Sequence, residues 1–266
     1  MTRPKPLYTA ENCAAAYQLN WSLSLFAREP LPPACQWESS LAEAVEPDGV
    51  RVLEQRLTNP DVVQFFLSTK PDVAPSHIIR SVKGRLQYLV RGRSPRAFRR
   101  NYRIESVGAV NSKALGKYIA GQTKHHPMVD PRVQTRLEEL QFHDPRVDLE
   151  RMRYSSHGQY IYNLQVVIEN AEGWHEVDAK TLLAARDMVI RSARAKGHLL
   201  SRVGLLSNHV HITLGCDIEG RPSNVALSFM NNVAYVQRMR PVLRFSFYVG
   251  TFGPYDRNVI RRVLGG

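Results

Sequence analysis

Pro75-Ser-His-Ile-Ile-Arg-Ser-Val-Lys-Gly-Arg-Leu-Gln-Tyr-Leu-Val-Arg91 lies without a gap over Pro222-Ser-Asn-Val-Ala-Leu-Ser-Phe-Met-Asn-Asn-Val-Ala-Tyr-Val-Gln-Arg238, with Pro, Ser, Ser, Tyr and Arg coincident. The match extends both ways. Upstream, Tyr17-Gln-Leu-Asn-Trp-Ser-Leu lies over Tyr162-Asn-Leu-Gln-Val-Val-Ile, and Gly49 over Gly197. Downstream, Ser106-Val-Gly108 lies over Thr251-Phe-Gly253, and Leu115-Gly-Lys-Tyr118 over Ile260-Arg-Arg-Val263. The offset drifts by only a few residues across all four windows, so the chain reads as one unit written twice, and a repeat decides the architecture before any local pattern does.

Each unit reads as a strand (Leu19 to Phe26; Ile161 to Ile168), a helix (around Leu41 to Val45; Ala179 to Ala195), and two further strands. A helix follows at Ser76 to Val90 and at Asn224 to Gln237, then a strand ending at Gly108 or Gly253, then a last helix at Ser112 to Gln122 or Arg257 to Leu264. Strands and helices in that order predict an α+β fold of two tandem ferredoxin-like, split βαβ domains. The expected boundaries are 1–122 for the first domain, 123–158 for a polar linker with a short helix at Val133 to Phe142, and 159–266 for the second.

Composition narrows the partner. Across 266 residues, Lys and Arg number 36 against 24 Asp and Glu, a formal charge of +12. That excess favours a polyanion. With 43% hydrophobic residues, 16 Gly and 16 Pro the chain is globular rather than disordered or fibrous. No apolar stretch approaches the roughly 18 to 20 residues of a membrane span, so no membrane partner is expected. The N-terminal stretch is broken by Glu11, Asn12 and Gln18 before a hydrophobic leader forms. Cys13, Cys35 and Cys216 suggest neither a disulfide framework nor a structural zinc site. A reducing cytoplasm is expected, with nucleoid association if the polyanion is DNA.

The chemistry concentrates in Ser207-Asn-His-Val-His-Ile-Thr-Leu214. In a strand, His209, His211 and Thr213 face one way and Val210, Ile212 and Leu214 the other. Two imidazoles on one face can grip one cation and leave positions open for a substrate oxygen. The competing reading is a pair of surface histidines on a half-buried strand.

The Asn208-His-Val-His211 strand, the following Pro-Ser helix and a helix of the pattern Tyr-Ile-x-x-Gln together resemble the single-tyrosine HUH transposases, the small insertion-sequence enzymes and their REP-associated relatives. The resemblance implies a ferredoxin-like sheet, a His-hydrophobe-His strand binding Mg²⁺ or Mn²⁺, a helix tyrosine that attacks single-stranded DNA, and a glutamine that completes the metal shell. Carried over by position, it makes His209 and His211 metal ligands, Tyr118 of Lys117-Tyr-Ile-Ala-Gly-Gln122 the nucleophile, and Gln122 the third ligand. Tyr118 and Gln122 stand at i and i+4, on one helix face.

Two departures from the family pattern shape the reading. The first unit has Val62 and Gln64 where the histidines belong. The second has Val263 at the tyrosine position and ends at Gly266 with no glutamine beyond. Because family members share sites between two subunits, the resemblance implies an internal pseudo-dimer, with Tyr118 and Gln122 of the first unit meeting His209 and His211 of the second. The chain could then act as a monomer.

A phenol titrates near pH 10 and attacks poorly at neutral pH. A cation that polarised the scissile phosphate and balanced its charge would compensate. The resemblance implies a 5′-phosphotyrosine link and a free 3′-hydroxyl. Nucleic-acid contacts are expected from Arg80, Lys83, Arg85, Arg91, Arg93, Arg96, Arg99 and Arg100, which together with Arg103 form a run without an acidic residue. Guanidinium groups fork onto phosphates, and Tyr88, Phe98 and Tyr102 between them could stack on bases. Tyr88, matched by Tyr235, is expected to pack in the core. Family members recognise DNA hairpins, so hairpin-bearing single strands are the expected partner. The alternative is a domesticated DNA binder that does not cleave, and a third reading is an RNA binder using the same sheet.

Overall fold

A computed structural model describes residues 5–59, 61–125, 130–171 and 179–265. The fold is mixed α+β. In chain order the first half runs β1 (Ala14–Gln18), β2 (Asn20–Ala27), α1 (Glu38–Val45), β3 (Val50–Asn59), β4 (Val62–Thr69), α2 (Pro75–Val90), β5 (Phe98–Val107) and α3 (Ser112–His125). The connection holds α4 (Pro131–Glu139), β6 (Phe142–His143), β7 (Arg153–Tyr154) and β8 (Gly158–Ile161). The second half runs β9 (Asn163–Asn170), α5 (Ala179–Ala195), β10 (Leu199–Leu205), β11 (His209–Gly215), α6 (Pro222–Val236), β12 (Leu243–Phe252) and α7 (Arg257–Gly265).

The strands form two six-stranded sheets, in the orders β3-β4-β2-β5-β8-β7 and β10-β11-β9-β12-β1 with β6 beyond β10. The four strands of each half therefore stand in the same order, β3-β4-β2-β5 against β10-β11-β9-β12. Each four is antiparallel. Even the irregularities repeat: the ladder slips between Val52 and Glu54 on β3, and between Leu200 and Arg202 on β10.

Local sequence explains the elements. On β2, Trp21, Leu23 and Leu25 alternate with polar residues and enter the main core beside Val63, Phe65 and Leu67 of β4. Along α2, Ile78, Val82, Leu86 and Val90 recur at four-residue intervals and join the same core. Proline opens both α2 and α6, where its missing N–H costs no helical hydrogen bond. Gly49 and Gly197 adopt φ of 75° and 68° before β3 and β10, a left-handed turn that favours glycine.

Helices α1 and α2 cover one face of the first sheet, and α5 and α6 the equivalent face of the second. The opposite faces are covered crosswise. From the first half, α3 lies over the second sheet through Leu115 and Ile119 against Phe252. From the second half, α7 lies over the first sheet through Ile260 and Leu264 against Phe66 and Val107. Short strands cross as well, β1 pairing parallel with β12 and β8 parallel with β5. The expected boundaries at 122 and 159 therefore do not match sheet membership. Residues 14–18 belong to the second sheet and 158–161 to the first.

The crossing point is tightly bonded. Ser106 Oγ donates to Phe252 O at 2.7 Å and accepts from Asn163 N at 3.0 Å. Thr251 Oγ1 donates to Val107 O at 2.7 Å and accepts from Asn20 N at 2.8 Å. Gly108 and Gly253 let the two halves touch: a Cβ on Gly253 would lie 2.1 Å from Ser106 O, and one on Gly108 would lie 3.0 Å from Phe252 Cα. The linker helix sits slightly earlier than Val133 to Phe142. Pro131 starts it after the Asp130 cap, and Phe142 is drawn into a strand against β10.

Candidate active site

The site lies where α3 covers β11. Asn111 caps α3, its Oδ1 accepting from Ala114 N at 3.0 Å, and this fixes the helix start directly after the crossing. Leu115 and Ile119 then pack down on the second sheet, so Gln122, on the same side, must reach β11. It does: Gln122 Nε2 stands 3.1 Å from His211 Nδ1. Both side chains are buried, although they come from opposite halves of the chain. The Tyr118 ring stands edge-on to His211 with centroids 6.3 Å apart, and it is half exposed.

The histidine strand obeys the expected alternation. Val210, Ile212 and Leu214 enter the main core, while His211 and Thr213 face α3. His211 is only 4% exposed, so the surface reading does not apply to it. Burial, with His209 nearby, pulls its pKa down to about 4, which leaves a neutral imidazole at pH 7. Its Nε2 lies 3.3 Å from Gln165 Oε1 on β9. With Gln122 donating to Nδ1, Nε2 carries the proton and donates to Gln165. Tyr248 hydrogen-bonds Gln165 in turn. His209, partly exposed, has Nδ1 2.8 Å from Asn208 Oδ1.

Residues that the sequence did not single out complete the setting. Gly204 on β10 stands opposite His211, and a Cβ there would lie 2.9 Å from Gln122 Oε1. That oxygen is buried with no hydrogen-bond donor. An acceptor carbonyl left unpaired beside two imidazoles suits a hard or borderline divalent cation. Among the described residues no three His, Cys, Asp or Glu side chains gather elsewhere as a metal cluster. Gln165 was legible only as a polar residue alternating with apolar ones, and Gly204 as one glycine in a strand.

The basic run is dispersed. Lys83 donates to Arg99 O and Arg100 O, tying α2 to β5, and partial burial pulls its pKa down. Arg85 pairs with Asp48 at 3.3 Å and Arg103 with Glu105 at 2.6 Å. Arg93 donates to Gln36 Oε1, and Arg99 Nε to Ala27 O. Arg80 shares a cleft with Asp48, Asp72 and Glu219. Arg96 and Arg100 are exposed. The expectation that Tyr88 and Tyr235 pack in the core is overturned, since they are 61% and 60% exposed. They point outward from α2 and α6, and Arg91 lies 4.1 Å over the Tyr88 ring.

Residues 35–122 match the family described as IS200-like transposase, one third of the chain. Over this segment the chain is similar to the IS200-like transposases. Its match ends on Gln122 and contains Tyr118, whereas the histidine strand lies outside it. The similarity supports a transposase-like function, and the second half brings His211 to the last helix of the matched segment. No curated protein matches the chain. Solved structures similar to it include an unknown protein from Galdieria sulphuraria (10% identity, 88% of this chain and 97% of that one, TM-score 0.20). Two mutant chlorite dismutases from Candidatus Nitrospira defluvii also appear. The one in complex with cyanide has 11% identity over 92% and 95% of the two chains, with a TM-score of 0.27. The other has 13% identity over 93% and 94%, with a TM-score of 0.21. At those scores the likenesses carry no argument. No helix among the described residues is long and apolar enough to cross a membrane.

Proposed function

We propose that the protein cleaves and rejoins single-stranded DNA at one composite site, with the two halves acting as tandem ferredoxin-like HUH domains in an internal pseudo-dimer. The reading rests on one observation above all: Gln122 of the first half stands 3.1 Å from His211 of the second, with its own carbonyl oxygen buried and unpaired. His209, His211 and Gln122 would hold Mg²⁺ or Mn²⁺ once the Gln122 amide turns its oxygen to the cation and its nitrogen off His211 Nδ1, and the cation would supply charge neutralisation and polarisation of the scissile phosphate. Tyr118 Oη attacks phosphorus, the P–O3′ bond breaks, and the leaving 3′-oxygen takes up a proton as a hydroxyl. The link retains the bond energy, so a second 3′-hydroxyl can reverse the step and join strands. His211 and Gln165 hold the ring and its tautomer steady while Tyr118, half exposed, stays open to the strand. The partner is hairpin-bearing single-stranded DNA in a bacterial-type cytoplasm. The exposed Arg91, Arg96 and Arg100 contribute the long-range attraction.

Incubation with Mn²⁺ and labelled hairpin strands tests the reading through a covalent protein–DNA adduct. The adduct is expected to disappear in Tyr118→Phe and to persist in Tyr235→Phe and Tyr255→Phe. DNA binding with no adduct in the unaltered protein would instead favour the non-cleaving binder, and preference for RNA in competition the third reading.

A further inference from the structure

A cleft of about 440 Å³ opens beside the candidate site, between α3, β10 and the connection at Val147–Glu150. Lys113 and Lys117 reach it from α3, and Arg202 rises from β10. Arg202 is partly buried, yet among the described residues it makes no hydrogen bond or ion pair. Burial lowers its pKa, as expected of a guanidinium that loses water without gaining a partner. Ser112 Oγ, on the same wall, is buried and likewise unpaired. Two unsatisfied donors and two lysines on one wall call for an anion with several acceptor oxygens. Asp148 and Glu150 line the cleft from the connection, and neither pairs with these cations.

Position supplies the identity of the anion. Arg202 stands opposite Thr213 on β11, two residues along the ladder from Gly204 opposite His211. Two residues of strand span roughly 6.6 Å, about the length of one nucleotide. Gly116 of α3 is the neighbour of the guanidinium, a Cβ there lying in ordinary contact 3.9 Å from Arg202 Nε. The first sheet offers an internal control. At the equivalent places stand Glu54 and Arg261, which pair with each other at 2.9 Å and leave no free guanidinium.

We propose that Arg202, flanked by Lys113 and Lys117, binds the DNA phosphate next to the one presented to Tyr118, so that the strand runs along the groove between α3 and β10. The proposal rests on the reading of Tyr118 and the histidines as a DNA site, but it can be tested without cleavage. The probe is a fluorescent single strand bound by the Tyr118→Phe protein in EDTA, over a series of salt concentrations. Arg202→Ala is expected to weaken binding about tenfold and to flatten the log–log salt slope by about 0.7, the value for one lost phosphate contact on a single strand. Lys117→Ala, on an exposed position, should act in the same direction, and Asp148→Asn should tighten binding. Unchanged affinity and slope in Arg202→Ala, with unchanged melting, would overturn the proposal. So would a protein in which inorganic phosphate senses the Arg202 substitution while the strand does not, because the cleft would then take a free anion. An absent Mn²⁺ adduct together with a flattened slope would sink the cleavage reading and leave this one standing.

Discussion

The two sheets carry the same helix on the same face, yet one of these interfaces is open and the other is filled. Under α3, Gly204 leaves room for the Gln122 carbonyl, and His211 faces it. Under α7, the residue at the place of Gly204 is Arg56, whose guanidinium donates to Val263 O at 3.0 Å. Gln64 replaces His211 and donates to Ser22 Oγ at 3.0 Å, a neutral copy of the His211–Gln165 contact. One fold therefore holds an unpaired polar group on one side and a closed set of hydrogen bonds on the other. An unpaired buried acceptor is costly to stability, so the Gln122 carbonyl beneath α3 calls for a partner that the described residues do not supply.

The sharpest way to break the contrast is to transplant the plug. Gly204→Arg places the Arg56 side chain where Gln122 Oε1 now sits, and adduct formation with Mn²⁺ should fall more than about 100-fold, on the scale of losing a preorganised site group. A stable Gly204→Arg protein with near-normal adduct yield would refute the site. The reverse change, Arg56→Gly, should restore nothing, because α7 carries Val263 where α3 carries Tyr118.

The crossing point tests the part of the comparison in which the halves are alike. Gly253→Ala forces a Cβ to 2.1 Å from Ser106 O, and Gly108→Ala forces one to 3.0 Å from Phe252 Cα. Backbone on both sides cannot retreat, so each substitution should cost ~2–3 kcal/mol in urea unfolding. Similar losses in the two variants would sharpen the pseudo-twofold relation, and a large loss in only one would break it.

Much of this was legible in the chain itself. The repeat at Pro75 and Pro222 gave the element order because helix starts and strand alternation are local signals. The meeting of Gln122 and Tyr118 with His211 was reachable only through the resemblance and the site sharing it implies. What stayed hidden is long-range. Gly204 is informative only once it is known to face Gln122, 82 positions away in a different half, and Arg202 only once its lack of a partner is seen. In the basic run the charge was plain but the pairing was not: Lys83 is held by carbonyls of Arg99 and Arg100 within the run, Arg103 by nearby Glu105, and Arg85 by the distant Asp48. Tyr88 shared its position with Tyr235, and a shared residue looked like core although both are outward-facing.

Smaller effects are expected from the crossing hydroxyls. Ser106→Ala and Thr251→Val each leave a buried carbonyl and a strand N–H without their present partner, which should lower unfolding free energy by ~1–2 kcal/mol. The two sites are mirror images, so a double variant should show whether their contributions couple. An interaction energy above about 0.5 kcal/mol would mean that the crossing behaves as one unit.

The smallest effect is expected where the filled interface looks most elaborate. Arg261 pairs with Glu54 at 2.9 Å and lies 5.7 Å from the Phe66 ring centroid. Its side chain is 52% exposed, however, and that of Glu54 is 31% exposed, so water screens the pair. Arg261→Ala should change stability by no more than ~1 kcal/mol and leave DNA binding and adduct formation unaltered. The same type of substitution at Arg202 carries the opposite expectation, a small change in melting and a clear change in affinity. Measured side by side, the two arginines separate a cation held for the fold from a cation held for the strand. If Arg261→Ala weakened DNA binding as much as Arg202→Ala, the filled side would also contact DNA, and the division between an open and a closed interface would have to be abandoned.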